Sequence, residues 1–274
     1  MRVVAVAMVK DESDVIVATV SNMLRQCDAV LVADNGSTDG TRELLAELAL
    51  GNDLTVVDDP EPAYFQSRKM TGLAHRAHAE LGAEWIVPFD ADEVWYSPFA
   101  PTIAAALEPI SAQWLVVPAR LFDHVATGID PDVADPVARI QWRRPEEAPL
   151  RKVAARWRED LVIEQGNHGA WYTGGPTITD PLLVVRHFPY RSVEQLVRKV
   201  RNGAAAYAAA GPELSTELGA HWRQWGRMLD ELGEEAIGEL FRRWYWRRNP
   251  RNRVEIEGER QPPLVHDPAY SALP

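Results

Sequence analysis

Along its first half the chain alternates short apolar runs with stretches whose apolar residues recur at helical spacing. Residues 3–8 read as a buried strand, 14–24 as a helix and 29–33 as a second strand. After a polar turn, 41–49 reads as a helix that Gly51 stops, and 54–57 as a third strand. A longer helix is predicted over 64–81, because Met70, Leu73, Ala74, Ala77 and Leu81 share one face and Gly82 follows. Strands at 85–89 and 114–117 come next. Such alternation predicts an α/β fold: a Rossmann-type, mainly parallel sheet flanked by helices.

Beyond Ala119 the periodicity weakens. Residues 123–136, with Gly128, Pro131 and Pro136, read as a mobile loop, 141–164 as strand-like pieces, 172–181 as a loop and 182–185 as a strand. Ser192 and Gln195 form a capping box for a helix to about 210, and helices at 213–232 and 235–248 complete a C-terminal extension. The polar, proline-bearing stretch from Pro250 reads as extended or disordered.

Composition narrows the class. At 274 residues, 46 % hydrophobic and 25 % charged, the chain can bury a substantial core. A net charge of -11 argues against nucleic acid as a partner, while the locally basic stretches 139–158 and 242–253 leave an anionic small substrate open. Cys27 stands alone, which excludes an internal disulfide and a cysteine-based zinc site and fits a reducing, cytoplasmic compartment. The apolar N-terminus is too short for a signal sequence, and no apolar run approaches the roughly 20 residues of a membrane span. A soluble protein is expected, with peripheral membrane contact left open.

In open α/β sheets, ligands bind at the carboxyl ends of the strands. There lie Lys10-Asp11-Glu12, Asp34-Asn35, Asp58-Asp59 and Asp90 to Glu93. In Phe89-Asp90-Ala91-Asp92-Glu93-Val94-Trp95, two carboxylates at i and i+2 can converge on one hard cation, Mg2+ or Mn2+. An acidic surface turn would carry the same letters, but it would not need the preceding strand and helix. In Asp34-Asn35-Gly36-Ser37-Thr38-Asp39-Gly40-Thr41, Asp34 can accept hydrogen bonds from a base or ribose. Gly36, Ser37, Asp39 and Gly40 serve the turn, with Ser37 or Asp39 as helix cap.

These motifs, taken with Met8-Val9-Lys10-Asp11-Glu12, resemble family 2 glycosyltransferases of GT-A fold, over about residues 1–94. Arg186-His187-Phe188-Pro189-Tyr190-Arg191-Ser192 with Glu194-Gln195 is similar, more loosely, to a bacterial subgroup. The resemblance implies a GT-A domain over 1–190, with nucleotide-sugar binding in 1–118 and the acceptor side in 119–190. C-terminal helices would follow over 191–250 and a tail over 251–274. It implies a nucleotide-diphospho-sugar donor held by Val9, Lys10, Glu12, Asp34, Asn35, Arg68, Asp90, Ala91 and Asp92. Mn2+ or Mg2+ would sit on Asp92, Asp90 and the late His187. The family often has asparagine at position 11; Asp11 adds negative charge near an anionic donor and is expected to point away.

Transfer of one sugar, with inversion, needs a base for the acceptor hydroxyl. Asp160, Glu164, His168 and Asp180 are candidates, and Asp92 joins the catalytic set; no motif chooses among them. Ten tryptophans, several beside arginine (Trp142, Trp157, Trp222, Trp225), could stack on sugars or fill the core. Residues 242–248 could meet an anionic lipid or simply end a helix in basic residues. The acceptor stays open between a glycan, a small molecule and a lipid-linked sugar. A nucleotidyltransferase is the first alternative, weakened because no glycine precedes Gly36; a non-catalytic nucleotide-sugar-binding module is the second.

Overall fold

The computed structural model describes residues 1–270 apart from Thr216 and Glu257. Its N-terminal half builds the expected alternation: β1 (Val3–Val9), α1 (Ile16–Gln26), β2 (Ala29–Asp34), α2 (Thr41–Ala49), β3 (Leu54–Asp58), α3 (Gln66–Leu81) and β4 (Trp85–Pro88). The middle holds β5 (Glu93–Tyr96), α4 (Ile103–Leu107), β6 (Val116–Asp123), α5 (Pro136–Arg139), β7 (Trp142–Arg143) and β8 (Lys152–Arg156). Then come β9 (Val162–Ile163), β10 (Ala170–Trp171) and β11 (Leu183–His187). The last third is α6 (Val193–Ala210), α7 (Ala220–Leu232), α8 (Glu234–Trp244), β12 (Val254–Ile256), β13 (Glu259–Gln261) and β14 (Val265–His266).

Eight strands form one sheet in the order β3-β2-β1-β4-β8-β6-β11-β5. The first four are mutually parallel, as are β6 and β11. Two strands run against them: β8 between β4 and β6, and β5 at the edge against β11. Side chains of β1 alternate between two layers, as a central strand buried on both faces requires. Val3, Ala5 and Ala7 meet Ile16, Val20 and Met23 of α1 and Leu45 of α2. Val4 and Val6 meet Met70, Leu73, Ala74 and Ala77, the face predicted for α3. Gly82 ends α3 at φ 69°, its N–H on the carbonyls of Ala77 and His78.

The C-terminal helices close over the carboxyl end of this sheet. Leu196, Val197, Val200, Leu229, Ile237 and Phe241 share a cluster with Val15, Val94 and Phe188. Ser192 Oγ accepts from Gln195 N at 3.1 Å, so half of the capping box forms; Gln195 Oε1 instead accepts from Arg191 N. Helices α6 and α7 cross closely: a Cβ on Gly203 would lie 2.9 Å from the Trp222 ring.

Three expectations change. The helix expected from 213 starts at Ala220, because Gly219 holds φ 65° just before it. The strand expected over 114–117 runs to Asp123, since its second half pairs with β11. Among the described residues after Pro250, β12 pairs with β13, β14 pairs with β7, and Asp267 binds Arg143 and Arg186. Among the described residues, no helix is long and apolar enough to cross a membrane.

His124, just past β6, is 2 % exposed, and its Nε2 lies 3.0 Å from the Asp267 carbonyl. Burial pushes its pKa down to about 4. Between an unfolded value near 6.5 and about 4, only the unfolded chain takes the proton, so stability falls with pH across that window, by up to about 3 kcal/mol. Urea unfolding at pH 7 and pH 4.5 should show a smaller acid loss for His124→Gln than for wild type. Equal losses would mean that His124 does not carry it.

Candidate active site

Three of the four strand-end clusters meet in one cleft of about 460 Å³, within the range of roughly 300–1,000 Å³ typical of ligand pockets. Val9, Lys10 and Glu12 come from the end of β1, and Asn35 from the end of β2. Asp90, Ala91 and Asp92 come from the turn between β4 and β5, and His187 from the end of β11. Lys199 and Asn202 of α6 and Trp222 of α7 form the opposite wall. The fourth cluster supports from behind: Asp59 accepts from Asn35 Nδ2 at 2.9 Å and pairs with Lys69 at 2.6 Å, while Asp58 pairs with Arg42.

The glycine-bearing turn after β2 shapes the loop after β1. Ser37 Oγ accepts from Asp11 N at 2.9 Å, Thr41 Oγ1 from Glu12 N at 2.8 Å, and Asp39 Oδ2 from Ser13 N at 3.0 Å. Ser37 and Asp39, expected to cap a helix, instead hold the neighbouring strand end; α2 starts from Gly40 with no side-chain cap. Asp34 is buried; its Oδ2 accepts from Ser37 N, its Oδ1 has no partner among the described residues, and it is not a cleft wall. Asp11 commits one oxygen to Thr38 N at 2.7 Å and the other to Asn202 Nδ2 at 2.8 Å. Both oxygens are therefore hydrogen-bonded, and the residue lines the cleft instead of pointing away from it.

The two carboxylates of Asp-x-Asp have different surroundings. Asp90 is clamped: Lys152 Nζ at 2.5 Å, Asn167 Nδ2 at 2.9 Å and Gln66 Nε2 at 3.3 Å. Lys152, almost wholly buried, also pairs with Glu93 at 2.8 Å. Burial alone would lower its pKa, but Asp90 and Glu93 outweigh that and keep it charged. Asp92 Oδ2 holds Lys199 Nζ at 2.5 Å, while its Oδ1 accepts no hydrogen bond among the described residues and faces His187 Nε2 at 3.6 Å. Burial opposes its charge, yet Lys199, His187 and Arg191 keep it ionised well below the usual carboxylate range.

Behind these groups lies Arg191, its side chain fully buried. It donates to Glu12, to both oxygens of Asp14 at 2.7 and 2.9 Å, and to the Phe188 carbonyl at 2.9 Å. One residue thereby joins the loop after β1 to the segment between β11 and α6.

Whether these residues suit a divalent cation can be judged from the donor set. His187 Nδ1 lies 2.8 Å from Asp123 Oδ1 and, as the protonated nitrogen, turns Nε2 toward Asp92. Among the described residues no three His, Cys, Asp or Glu converge. Two side-chain ligands, Asp92 Oδ1 and His187 Nε2, fit an ion such as Mg2+ that takes its other oxygens from a diphosphate and water. Asp90, held by Lys152 and Asn167, is less available to such an ion.

The remaining candidates scatter. His168 lines the cleft, its Nδ1 3.0 Å from the Arg151 carbonyl. Glu164 and Asp180 are exposed and do not line it; Asp160 pairs with Arg158. Arg68 pairs with Glu61 and lines a separate groove. Of the four tryptophans, only Trp222 reaches the cleft; Trp157 stacks on His78 and Trp142 packs on His266. Arg242 binds Glu235 and Glu239 of its own helix. Sequence reading passed over Lys152, Lys199, Arg191 and Asp123. The one available signal was Arg191 within the Arg-His-Phe-Pro-Tyr-Arg-Ser run.

The mainly parallel eight-stranded sheet flanked by helices, with a cleft at its strand ends, is a GT-A-like fold. The family model for Glycosyl transferase family 2 matches residues 5–125. That stretch, from β1 to just past β6, is similar to the family whose motifs the sequence resembles. No curated protein matches it. Among solved structures it is similar to S. aureus TarS 1–349 in complex with UDP-GlcNAc, at 12 % identity, 84 % of this chain and 73 % of that one, TM-score 0.43. Another is glucosyl-3-phosphoglycerate synthase from Mycobacterium tuberculosis in complex with Mn2+, uridine-diphosphate and glucosyl-3-phosphoglycerate, at 17 % identity, 77 % and 80 % coverage, TM-score 0.38.

Removing Arg191 leaves Glu12, Asp14 and Asp92 without their shared buried cation. Arg191→Met should cost about 3–5 kcal/mol in urea unfolding, with Arg191→Lys only partly restoring it. A loss under about 1 kcal/mol would show that the network is not needed to hold the fold.

Proposed function

We propose that this protein is a glycosyltransferase that moves a single sugar from a nucleotide-diphosphate donor to an acceptor hydroxyl, with a divalent cation and inversion at the anomeric carbon. The observation that carries the reading is Asp92 Oδ1 facing His187 Nε2 at 3.6 Å inside the strand-end cleft, with Asp123 behind the histidine. Bound there, Mn2+ or Mg2+ would neutralise charge that develops on the diphosphate.

The chain's own groups account for the rest. Lys10 and Lys199 line the cleft as cations for the diphosphate. Lys10 Nζ is steadied by the carbonyls of Asn35 and Gly36 at 2.7 and 3.2 Å. Bond exchange at the anomeric carbon joins it to the acceptor oxygen and releases the nucleoside diphosphate. The acceptor's proton goes to a base, a role we assign to His168. It is the candidate base that lines the cleft, and burial and then Lys152 lower its pKa, so it is neutral near pH 7. The loop carrying it is tied to Asp90 through Asn167, and to Lys152 through the Gly166 carbonyl at 2.8 Å.

Thermal unfolding against a panel of nucleoside diphosphates and nucleotide sugars tests this directly. One nucleotide should raise stability only with Mn2+, by about 2.7 kcal/mol at a hundredfold excess over its dissociation constant. Asp92→Asn should abolish the Mn2+ dependence; an unchanged shift would contradict the assigned ligand. Release of pyrophosphate instead of a nucleoside diphosphate would identify a nucleotidyltransferase. For the base, His168→Asn should lower kcat by about 10²–10⁴-fold and remove the acidic limb of the pH profile. A retained acidic limb would place the base elsewhere.

A further inference from the structure

We propose that the acceptor is an anionic small molecule, bearing a phosphate or carboxylate, and that it docks beside the donor cleft with its anion on Arg144. The word acceptor rests on the glycosyltransferase reading; the anion site does not.

A second groove of about 340 Å³ shares His187, Pro189 and Tyr190 with the donor cleft, so one molecule can reach from one into the other. Its other walls include Asp123, Arg144, Trp244 and Tyr245. Buried guanidiniums elsewhere in this chain are matched with carboxylates: Arg191 with Glu12 and Asp14, and Arg186 with Asp267. Arg144 is not. Among the described residues no carboxylate lies within 4.0 Å of it, its buried Nε donates to nothing, and Nη2 has only a 3.4 Å contact with the Trp244 carbonyl. Arg247, 3 % exposed, repeats the pattern, with a buried Nε that has no acceptor and no carboxylate partner among the described residues.

These two arginines come from the two basic stretches of the sequence, roughly 100 residues apart, that the acidic chain had no evident use for. The fold brings them near each other, and burial and then Arg144 lower the pKa of Arg247. Buried donors left without acceptors, as these two Nε groups are, are costly and are retained where something completes them. A phosphate or carboxylate offers the planar guanidinium paired acceptors. Tyr190, Trp244 and Tyr245 supply aromatic faces for a sugar or other ring attached to that anion.

Titration calorimetry on the full-length protein at fixed ionic strength tests the site with glucose 6-phosphate, glucuronate, inorganic phosphate and glucose. At least one anion should bind saturably while glucose does not, and comparing phosphate with carboxylate names the group. Arg144→Gln should weaken that binding about tenfold or more. Arg144→Lys, which keeps charge but not the fork, should fall between. Failure of every anion to bind wild type overturns the proposal, as does glucose binding equally well. If Arg144→Gln does not fold, by circular dichroism, Arg144→Lys decides alone: unchanged affinity overturns the proposal. Arg144-dependent anion binding in a protein that no nucleotide stabilises would uphold the site and remove its role as acceptor site.

Discussion

Buried Asp92 and Glu93, half-buried Glu12 and Asp90 and exposed Asp14 all gather at or beside the carboxyl ends of the sheet, and the buried ones cannot be left there without a cation. Buried carboxylates are tolerable only when paired and hydrogen-bonded. Arg191 answers Glu12 and Asp14, Lys199 answers Asp92, and Lys152 answers Asp90 and Glu93. The positions of β8 and of the start of α6 are thus set by charge as well as by apolar packing. The C-terminal helices form one wall of the cleft for the same reason.

This arrangement divides the two aspartates of the Asp-x-Asp turn. Asp90 is used up holding the loop that carries Asn167 and His168. Asp92 keeps one oxygen for Lys199 and leaves the other toward His187. Equal letters in the motif therefore sit in unequal surroundings, although both line the cleft.

What could be read from the sequence followed from locality. The burial of β1 and the face of α3 were legible because their apolar pattern is written within ten to twenty residues. So were the strand-end carboxylates, whose place depends only on where each strand stops. Lys152 and Lys199 were not, because a lysine in a short strand or a helix looks solvated until its partner, 62 or 107 residues away, is known. The pairings beyond Pro250 were hidden for the same reason: Asp267 finds Arg143 and Arg186 across the fold, and β14 finds β7. Antiparallel β8 was invisible as a member of the main sheet because strand order is a long-range property. Glu164 and Asp180 failed to reach the cleft because a carboxylate near a glycine carries no information about the side of the sheet it will face.

The metal-assisted mechanism depends on where a divalent cation binds. Crystals grown with Mn2+ and the nucleoside diphosphate that stabilises the protein, measured for anomalous scattering, locate it directly. The prediction is a peak between Asp92 Oδ1 and His187 Nε2, touching the diphosphate. A peak elsewhere, or none while the nucleotide occupies the cleft, would contradict the metal-assisted mechanism.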